Sequence, residues 1–117
     1  MHEFSIVSSL ADSVRVHLPG GMRLTSARAS VGALEHLDFS LMQTAWQAVT
    51  DGSDLAGAEL HLEREPVRVR CRSCRHAYVP PHPSWMVCPA CGSARPEVLA
   101  GVGVTLLTCE LEPDESS

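Results

Sequence analysis

The sequence predicts an α+β fold: two helices packed on a three-stranded sheet, with a cysteine-rich module inserted before the last strand. Two stretches repeat apolar residues at three- and four-residue steps, as amphipathic helices do, and three stretches alternate apolar and polar residues, as half-buried strands do. Residues 67–100 instead hold four of the five cysteines and five of the eight prolines. Because this segment lacks the periodicity of a hydrophobic core, it needs another staple. We therefore expect one domain from residues 1–66 with 101–117, and a second domain from residues 67–100.

The two helices are predicted over residues 3–18 and 38–50. Pro19 and the two glycines after it end the first helix, and Gly52 follows the second. Asp38 stands directly before the second apolar repeat, where its carboxylate can cap the helix. Each helix carries one apolar stripe, formed by Ile6, Val7, Leu10, Val14 and Leu18 in the first and by Leu41, Met42, Ala45, Trp46 and Val49 in the second.

The three strands are predicted over residues 23–32, 58–65 and 101–112. The second is the clearest, because Ala58, Leu60 and Leu62 alternate with polar residues and leave one face of the strand wet. The last strand contains Cys109, which stands apart from the other cysteines. We expect it to be a small buried core residue.

Composition and charge exclude several classes of function. The chain has 117 residues and a net charge of −5, whereas a general nucleic-acid binder is basic on at least one face. It has no apolar run long enough to cross a membrane and no secretory signal, so we expect a cytoplasmic protein with reduced cysteines. We find no nucleophile–base pair, phosphate-binding loop or open metal site, so an enzyme is not expected.

The paired cysteines predict a zinc-ribbon-like module. CRSC and CPAC are separated by thirteen residues. Two residues between thiolates let both sulfurs of a pair reach one ion from a single turn, and a second pair completes a tetrahedron at a Zn–S distance of about 2.3 Å. Four cysteines close the coordination shell, so the expected Zn²⁺ is structural and not catalytic. Disulfides, a redox pair or iron are the alternatives for the same ligands, which are Cys71, Cys74, Cys88 and Cys91.

Arginines are concentrated in the same module. Four thiolates around one Zn²⁺ carry a net charge of −2, and positive side chains nearby stabilise thiolates. Our favoured interpretation is that the arginines supply this field and donate to the sulfurs. The alternative is that they also meet an acidic partner. Five of the nine arginines are concerned, namely Arg68, Arg70, Arg72, Arg75 and Arg95.

The first residues, MHE, offer a different set of metal ligands. The amine of Met1, the backbone nitrogen of His2 and its imidazole can chelate one ion through fused rings, and nitrogen-rich tetragonal sets suit Ni²⁺ or Cu²⁺. The amine and imidazole must lose protons first, so affinity should fall as the pH drops toward about 6. The alternative is that His2 and Glu3 are accidental surface residues at a fraying end.

Taken in order, several motifs resemble one family over nearly the whole chain. They are MHE, a helix, VG near residue 32, a second helix, AELHLEREPVRVRCRSC and CPACG. This arrangement is similar to that of the hydrogenase nickel-incorporation proteins of the HypA/HybF family. The resemblance implies a nickel metallochaperone that holds Ni²⁺ with the His2 imidazole and the backbone nitrogens of His2 and Glu3, and that keeps a structural zinc in a separate domain. It also implies delivery to the maturing large subunit of [NiFe]-hydrogenase, with a nickel-handling GTPase as partner and urease as a second client in some organisms.

The sequence leaves four points open. Some members add an acidic nickel ligand at the start of the second helix, which falls here on Asp38, and this role competes with the helix cap. Many members have a glutamate after the VG pair, where this chain has Ala33, and Glu35 or His36 could substitute for it. The second hypothesis for function is a zinc-ribbon module that binds protein or RNA without nickel transfer. The sequence is compatible with a monomer or a homodimer.

Overall fold

A computed structural model describes residues 2–82 and 85–114, which form two compact units. Each unit contains one three-stranded sheet, with the strand orders β2-β1-β6 and β4-β3-β5. The first unit takes in Leu37–Glu63 and the described parts of Met1–Ser30 and Val104–Ser117, and the second takes in Val31–His36 and Arg64–Gly103. The elements are α1 (Glu3–His17), β1 (Met22–Gly32), a 3-10 turn (Ala33–Glu35), α2 (Phe39–Thr50), β2 (Glu59–Glu65), β3 (Arg68–Cys71), β4 (Ala77–Tyr78), β5 (Pro96–Ala100) and β6 (Val104–Pro113).

The first unit has its core where α1 packs on α2. Trp46 of α2 is only 1% exposed, and its indole Nε1 donates to the carbonyl of Ala58 at 2.8 Å, so the largest core side chain is also hydrogen-bonded. Both predicted apolar stripes contribute to this core, but Leu41, predicted in the second stripe, is 53% exposed. Its buried residues include Val7, Leu10, Ala11 and Val14 from α1, Met42, Ala45 and Trp46 from α2, and Leu24, Ala27 and Ala29 from β1.

In the first sheet, the burial of side chains agrees with the prediction in edge strand β2 and differs from it in edge strand β6. In β2 and the residue before it, Ala58 and Leu60 are buried while Glu59 and His61 are exposed, as the alternation predicts. The prediction that Cys109 is buried is wrong, because it is exposed. It belongs to β6, an edge strand in which residues 107–110 are all exposed.

The second unit contains a segment that the predicted domain boundaries assign elsewhere, residues 31–36. The amide of Gly32 donates to the carbonyl of Gly103 at 2.8 Å, and the amide of Leu34 donates to that of Gly101 at 2.9 Å. The approach is so close that a Cβ on Gly32 would lie 2.3 Å from the Gly101 oxygen. Only glycine fits there.

Two carboxylates bind the segment 101–103 of the second unit. Oε2 of Glu35 accepts from the amide of Gly103 and Oε1 of Glu65 accepts from the amide of Gly101, both at 2.8 Å. Glu35 therefore has a structural task, which no pattern in the sequence indicates.

Among the described helices, none is long and apolar enough to cross a bilayer.

Candidate metal centres

The first centre is a cluster of four cysteine sulfurs in the second unit. All four Sγ atoms lie within 4.8 Å of one another. The Sγ atoms of Cys71 and Cys91 are 3.5 Å apart, and so are those of Cys74 and Cys88. A tetrahedral ion with Zn–S distances of about 2.3 Å separates its sulfurs by about 3.8 Å. The donor set and its spacing therefore fit a structural Zn²⁺.

Two backbone turns of the same design position these sulfurs. The carbonyl of Cys71 accepts from the amide of Arg75 at 2.9 Å, and that of Cys88 accepts from the amide of Gly92 at 2.8 Å. Both turns pass through a left-handed residue, with φ of 67° at Arg75 and 78° at Gly92. The second turn uses glycine, for which this φ is not strained. The turns bury the first cysteine of each pair and expose the second.

A second pair of hydrogen bonds repeats in the two turns. The amide of Cys71 donates to the carbonyl of His76 and the amide of Cys88 donates to that of Ser93, both at 2.8 Å. Each first cysteine is thus fixed by its own amide and its own carbonyl. This fixed backbone presents the sulfurs without the help of a large hydrophobic core.

The four thiols do not ionise alike. The amide of Cys74 lowers the pKa of Cys71 to about 6. The amide of Ser93 favours the thiolate of Cys91, but the hydrogen bond with Cys71 and burial outweigh it and raise the pKa of Cys91 to about 12. Closely spaced thiolates repel one another, and a divalent cation among them removes that repulsion. The cluster is therefore suited to a doubly charged ion.

The arginines of the module do not contact the sulfurs. Within residues 2–82 and 85–114, no arginine side chain donates to a cysteine; Arg72 Nε instead donates to the carbonyl of Pro96 at 3.4 Å. A backbone amide, that of Ala90, reaches the Cys88 sulfur at 3.4 Å. The prediction that arginine donors bind the sulfurs is thus wrong for the described residues, because the turns supply backbone amides in their place.

The second candidate centre lies at the start of α1 in the first unit. His2 is exposed and occupies the N-cap position, while Glu3 begins the helix and is only 7% exposed. The Glu3 carboxylate accepts a hydrogen bond from the amide of Asp38 at 3.1 Å. The fold therefore brings together residues 3 and 38, which are far apart in the sequence. Met1, whose amine is among the predicted ligands, lies outside the described residues.

Asp38 is exposed and caps α2, as the sequence predicts. Its Oδ1 accepts from the amide of Leu41 at 3.2 Å. Among the described residues, the other oxygen, Oδ2, has no hydrogen-bond donor. One carboxylate oxygen thus serves the helix cap and the second is bonded to no donor of the described residues, so the two roles considered for Asp38 are compatible there.

Glu3 is ionised at neutral pH. The pKa of Glu3 is lowered to about 2. The positive amino terminus of the chain has the largest effect, and the amide of Asp38 has the next largest. No pattern in the sequence signals this burial, because it depends on the packing of α1 against α2. The result is a fixed negative charge beside the backbone nitrogens with which α1 begins.

These features define a class: a small α+β protein with a closed four-cysteine centre of the zinc-ribbon type in one unit and, in the other, an exposed imidazole and two carboxylates where the two helices begin. A family model described as "Hydrogenase/urease nickel incorporation, metallochaperone, hypA" matches residues 1–111. The chain belongs to this HypA family. The predicted family and fold class are confirmed.

Individual relatives agree with the family. The chain is 32% identical over 117 residues to the hydrogenase maturation factor HypA of Shewanella baltica strain OS185, covering 98% of this chain and 99% of that protein. It is 34% identical over 110 residues to HypA of Geotalea daltonii, covering 94% and 91%. The solution structure of the Ni metallochaperone HypA from Helicobacter pylori has the same fold, with a TM-score of 0.67, 24% identity and coverage of 97% of this chain and 100% of that one.

Proposed function

We propose that this chain is a nickel carrier that binds one Ni²⁺ at the start of α1 and delivers it during maturation of [NiFe]-hydrogenase. The observation that carries the proposal is the contact between buried Glu3 and the amide of Asp38, beside exposed His2. It anchors the beginning of the chain to the beginning of α2. A donor set that would fray in an isolated helix is thereby held in one place.

The backbone at this point supports amide coordination. The first hydrogen bond of α1 runs from the amide of Ile6 to the carbonyl of His2, at 3.0 Å. The amides of His2 and Glu3 precede it, and the first amides of a helix do not bond to carbonyls of that helix. Binding a metal through these two backbone nitrogens therefore breaks no hydrogen bond between turns of α1, as suits a square-planar nickel site with the His2 imidazole.

The surroundings support release as well as binding. His2 is exposed, so a partner protein can reach the ion. The carboxylates of Glu3 and Asp38 supply negative charge that compensates the ion and the ionised ligands. We assign the zinc to the four cysteines as a structural ion, which leaves nickel as the transferable cargo and makes the chain a carrier, not an enzyme.

The family description names hydrogenase and urease, and the more specific partners rest on the resemblance in sequence. We propose the large subunit of [NiFe]-hydrogenase as client, a nickel-handling GTPase as the protein that works with this chain, and urease as a second client class. The cysteines require a reducing compartment to remain thiolates for zinc, so we place the transfer in the cytoplasm.

Replacing His2 is the direct test. We expect protein that starts at Met1 without a preceding tag to bind one Ni²⁺ with a Kd of about 1 μM by calorimetry. His2→Ala should abolish this binding while zinc content stays unchanged. Since His61 is exposed in the same unit, His61→Ala is the matched control and should bind nickel as the wild type does.

The nickel affinity of the wild type should fall as the pH approaches about 6, because protons compete for the nitrogen ligands. Equal nickel binding by wild type and His2→Ala would refute the proposal.

Asp38 can be tested separately from the helix cap. Asparagine caps a helix as well as aspartate does, so Asp38→Asn should leave thermal stability almost unchanged, whereas Asp38→Ala should cost about 1 kcal/mol. If Asp38 is a nickel ligand, both variants weaken nickel binding. If only Asp38→Ala weakens it, Asp38 acts through the helix cap and the ligand assignment is wrong.

A further inference from the structure

The central strand of the second unit and the residue after it carry three arginines. Along β3, Val69 and Cys71 are buried, Arg68 is exposed and Arg70 is half-buried; Arg72, the first residue after β3, is also exposed. Successive side chains of a strand point to opposite faces of the sheet. Arg68 and Arg70 therefore share the face that is turned away from the buried residues, and Arg72 follows at the end of the strand.

The neighbouring strand adds a fourth arginine. Cys71 lies opposite Pro96 in the antiparallel register, and the amide of Arg72 donates to the carbonyl of Arg95 at 3.1 Å. Arg72 and exposed Arg95 are therefore backbone neighbours just beyond the paired ends of β3 and β5, and like charges placed opposite each other are unfavourable. We define the arginine face as Arg68, Arg70, Arg72 and Arg95.

Little of this charge is neutralised within the chain. The ion pair between Arg70 and Glu97 has a long N–O distance of 4.0 Å. In the described part of the chain, Arg68 and Arg95 form no ion pair, and Arg72 reaches only a carbonyl oxygen. None of the four donates to a cysteine sulfur there. The sulfur cluster therefore does not explain the position of these side chains.

The charge of the remaining chain indicates what kind of partner fits. Residues 64–103 contain six arginines and two glutamates, whereas the remainder contains three arginines and twelve acidic residues. A nucleic acid would be repelled by this acidic remainder. A protein carboxylate matches the forked donors of arginine in bidentate geometry. An apolar rim is also present, since Ala77 lies opposite Arg70 and Val79, two residues further on, is 62% exposed.

We propose that the arginine face docks an extended, carboxylate-rich segment of another protein. Alternate residues of a strand lie about 6.6–6.8 Å apart, so acidic side chains at alternate positions of an extended segment match the spacing of the arginines along β3. Such a contact places a partner on the second unit and uses no nickel ligand. The proposal thus stands or fails independently of the nickel site.

The probe is a fluorescent synthetic peptide of alternating glutamate and threonine, titrated with the zinc-loaded full chain and followed by anisotropy. We expect saturable binding that weakens as salt is raised from low levels to ~0.15 M. The variant with Arg68→Gln, Arg72→Gln and Arg95→Gln should bind roughly 10- to 100-fold more weakly, because each exposed charge pair contributes a factor of up to about 5. The matched control carries Arg15→Gln, Arg23→Gln and Arg28→Gln in the first unit. It has the same net charge and should bind within about 2-fold of the wild type.

Four outcomes would overturn the proposal. The control variant could lose as much affinity as the arginine-face variant, which would make the effect one of net charge. The glutamine–threonine version of the peptide could bind equally well. A single-stranded RNA of equal length could bind more tightly than the peptide. Sedimentation could show self-association that the arginine-face substitutions abolish, which would make a second copy of this chain the occupant.

Discussion

Substituting Cys88 by serine is expected to release zinc and unfold the second unit. Cys88 is buried and its sulfur lies 3.5 Å from that of Cys74, inside the four-sulfur cluster. In small zinc-binding peptides the ion contributes about 10–16 kcal/mol to folding, which is as large as the total stability of a typical domain. Zinc content should fall from one ion per chain toward none, and the amides of β3 and β5 should lose their protection from hydrogen exchange. A strong chelator should have the same effect on the wild type.

Cys109 provides the control for this substitution. It is exposed on an edge strand and lies outside the cluster, so Cys109→Ser should retain zinc and the wild-type melting temperature. If Cys88→Ser kept one zinc per chain and normal amide protection, the cluster would not be the staple of this unit. If Cys109→Ser lost zinc, the assignment of all four zinc ligands to the cluster would be wrong.

Replacing Trp46 by alanine should destabilise the first unit by about 3–5 kcal/mol. The indole is 1% exposed, and its removal leaves both a large cavity and the carbonyl of Ala58 without its donor. Urea unfolding of the zinc-loaded protein, followed by far-ultraviolet circular dichroism, measures the effect. Trp46→Phe should cost less. It also loses the indole hydrogen bond, but the phenyl ring keeps most of the packing and leaves a smaller cavity.

Leu41 is the matched control on the same helix. It is 53% exposed, so Leu41→Ala should change the free energy of unfolding by less than about 1 kcal/mol. A loss at Leu41 equal to that at Trp46 would mean that α2 does not turn Trp46 toward the core and Leu41 toward solvent.

The local features of the fold could be predicted because local patterns encode them. The burial of Val7, Leu10 and Val14 follows from their helical spacing, and the exposed face of β2 follows from alternation. Asp38 is recognisable as a helix cap because capping depends on the residues that follow it directly. Cys109 was misjudged because a cysteine in a strand does not reveal whether that strand lies at a sheet edge.

The sequence by itself determined the family and predicted both the four cysteines that cluster and the candidate donors at the start of the chain, since each is written in residues close together or in fixed spacings. Only the tertiary structure decided that Glu3 is buried against the amide of Asp38, that residues 31–36 join the second unit and that Arg95 lies next to Arg72 at the end of β3. The physical reason is that these relations join residues far apart in the chain. They are set by how α1 packs on α2 and how β3 pairs with β5, and no local periodicity records such packing.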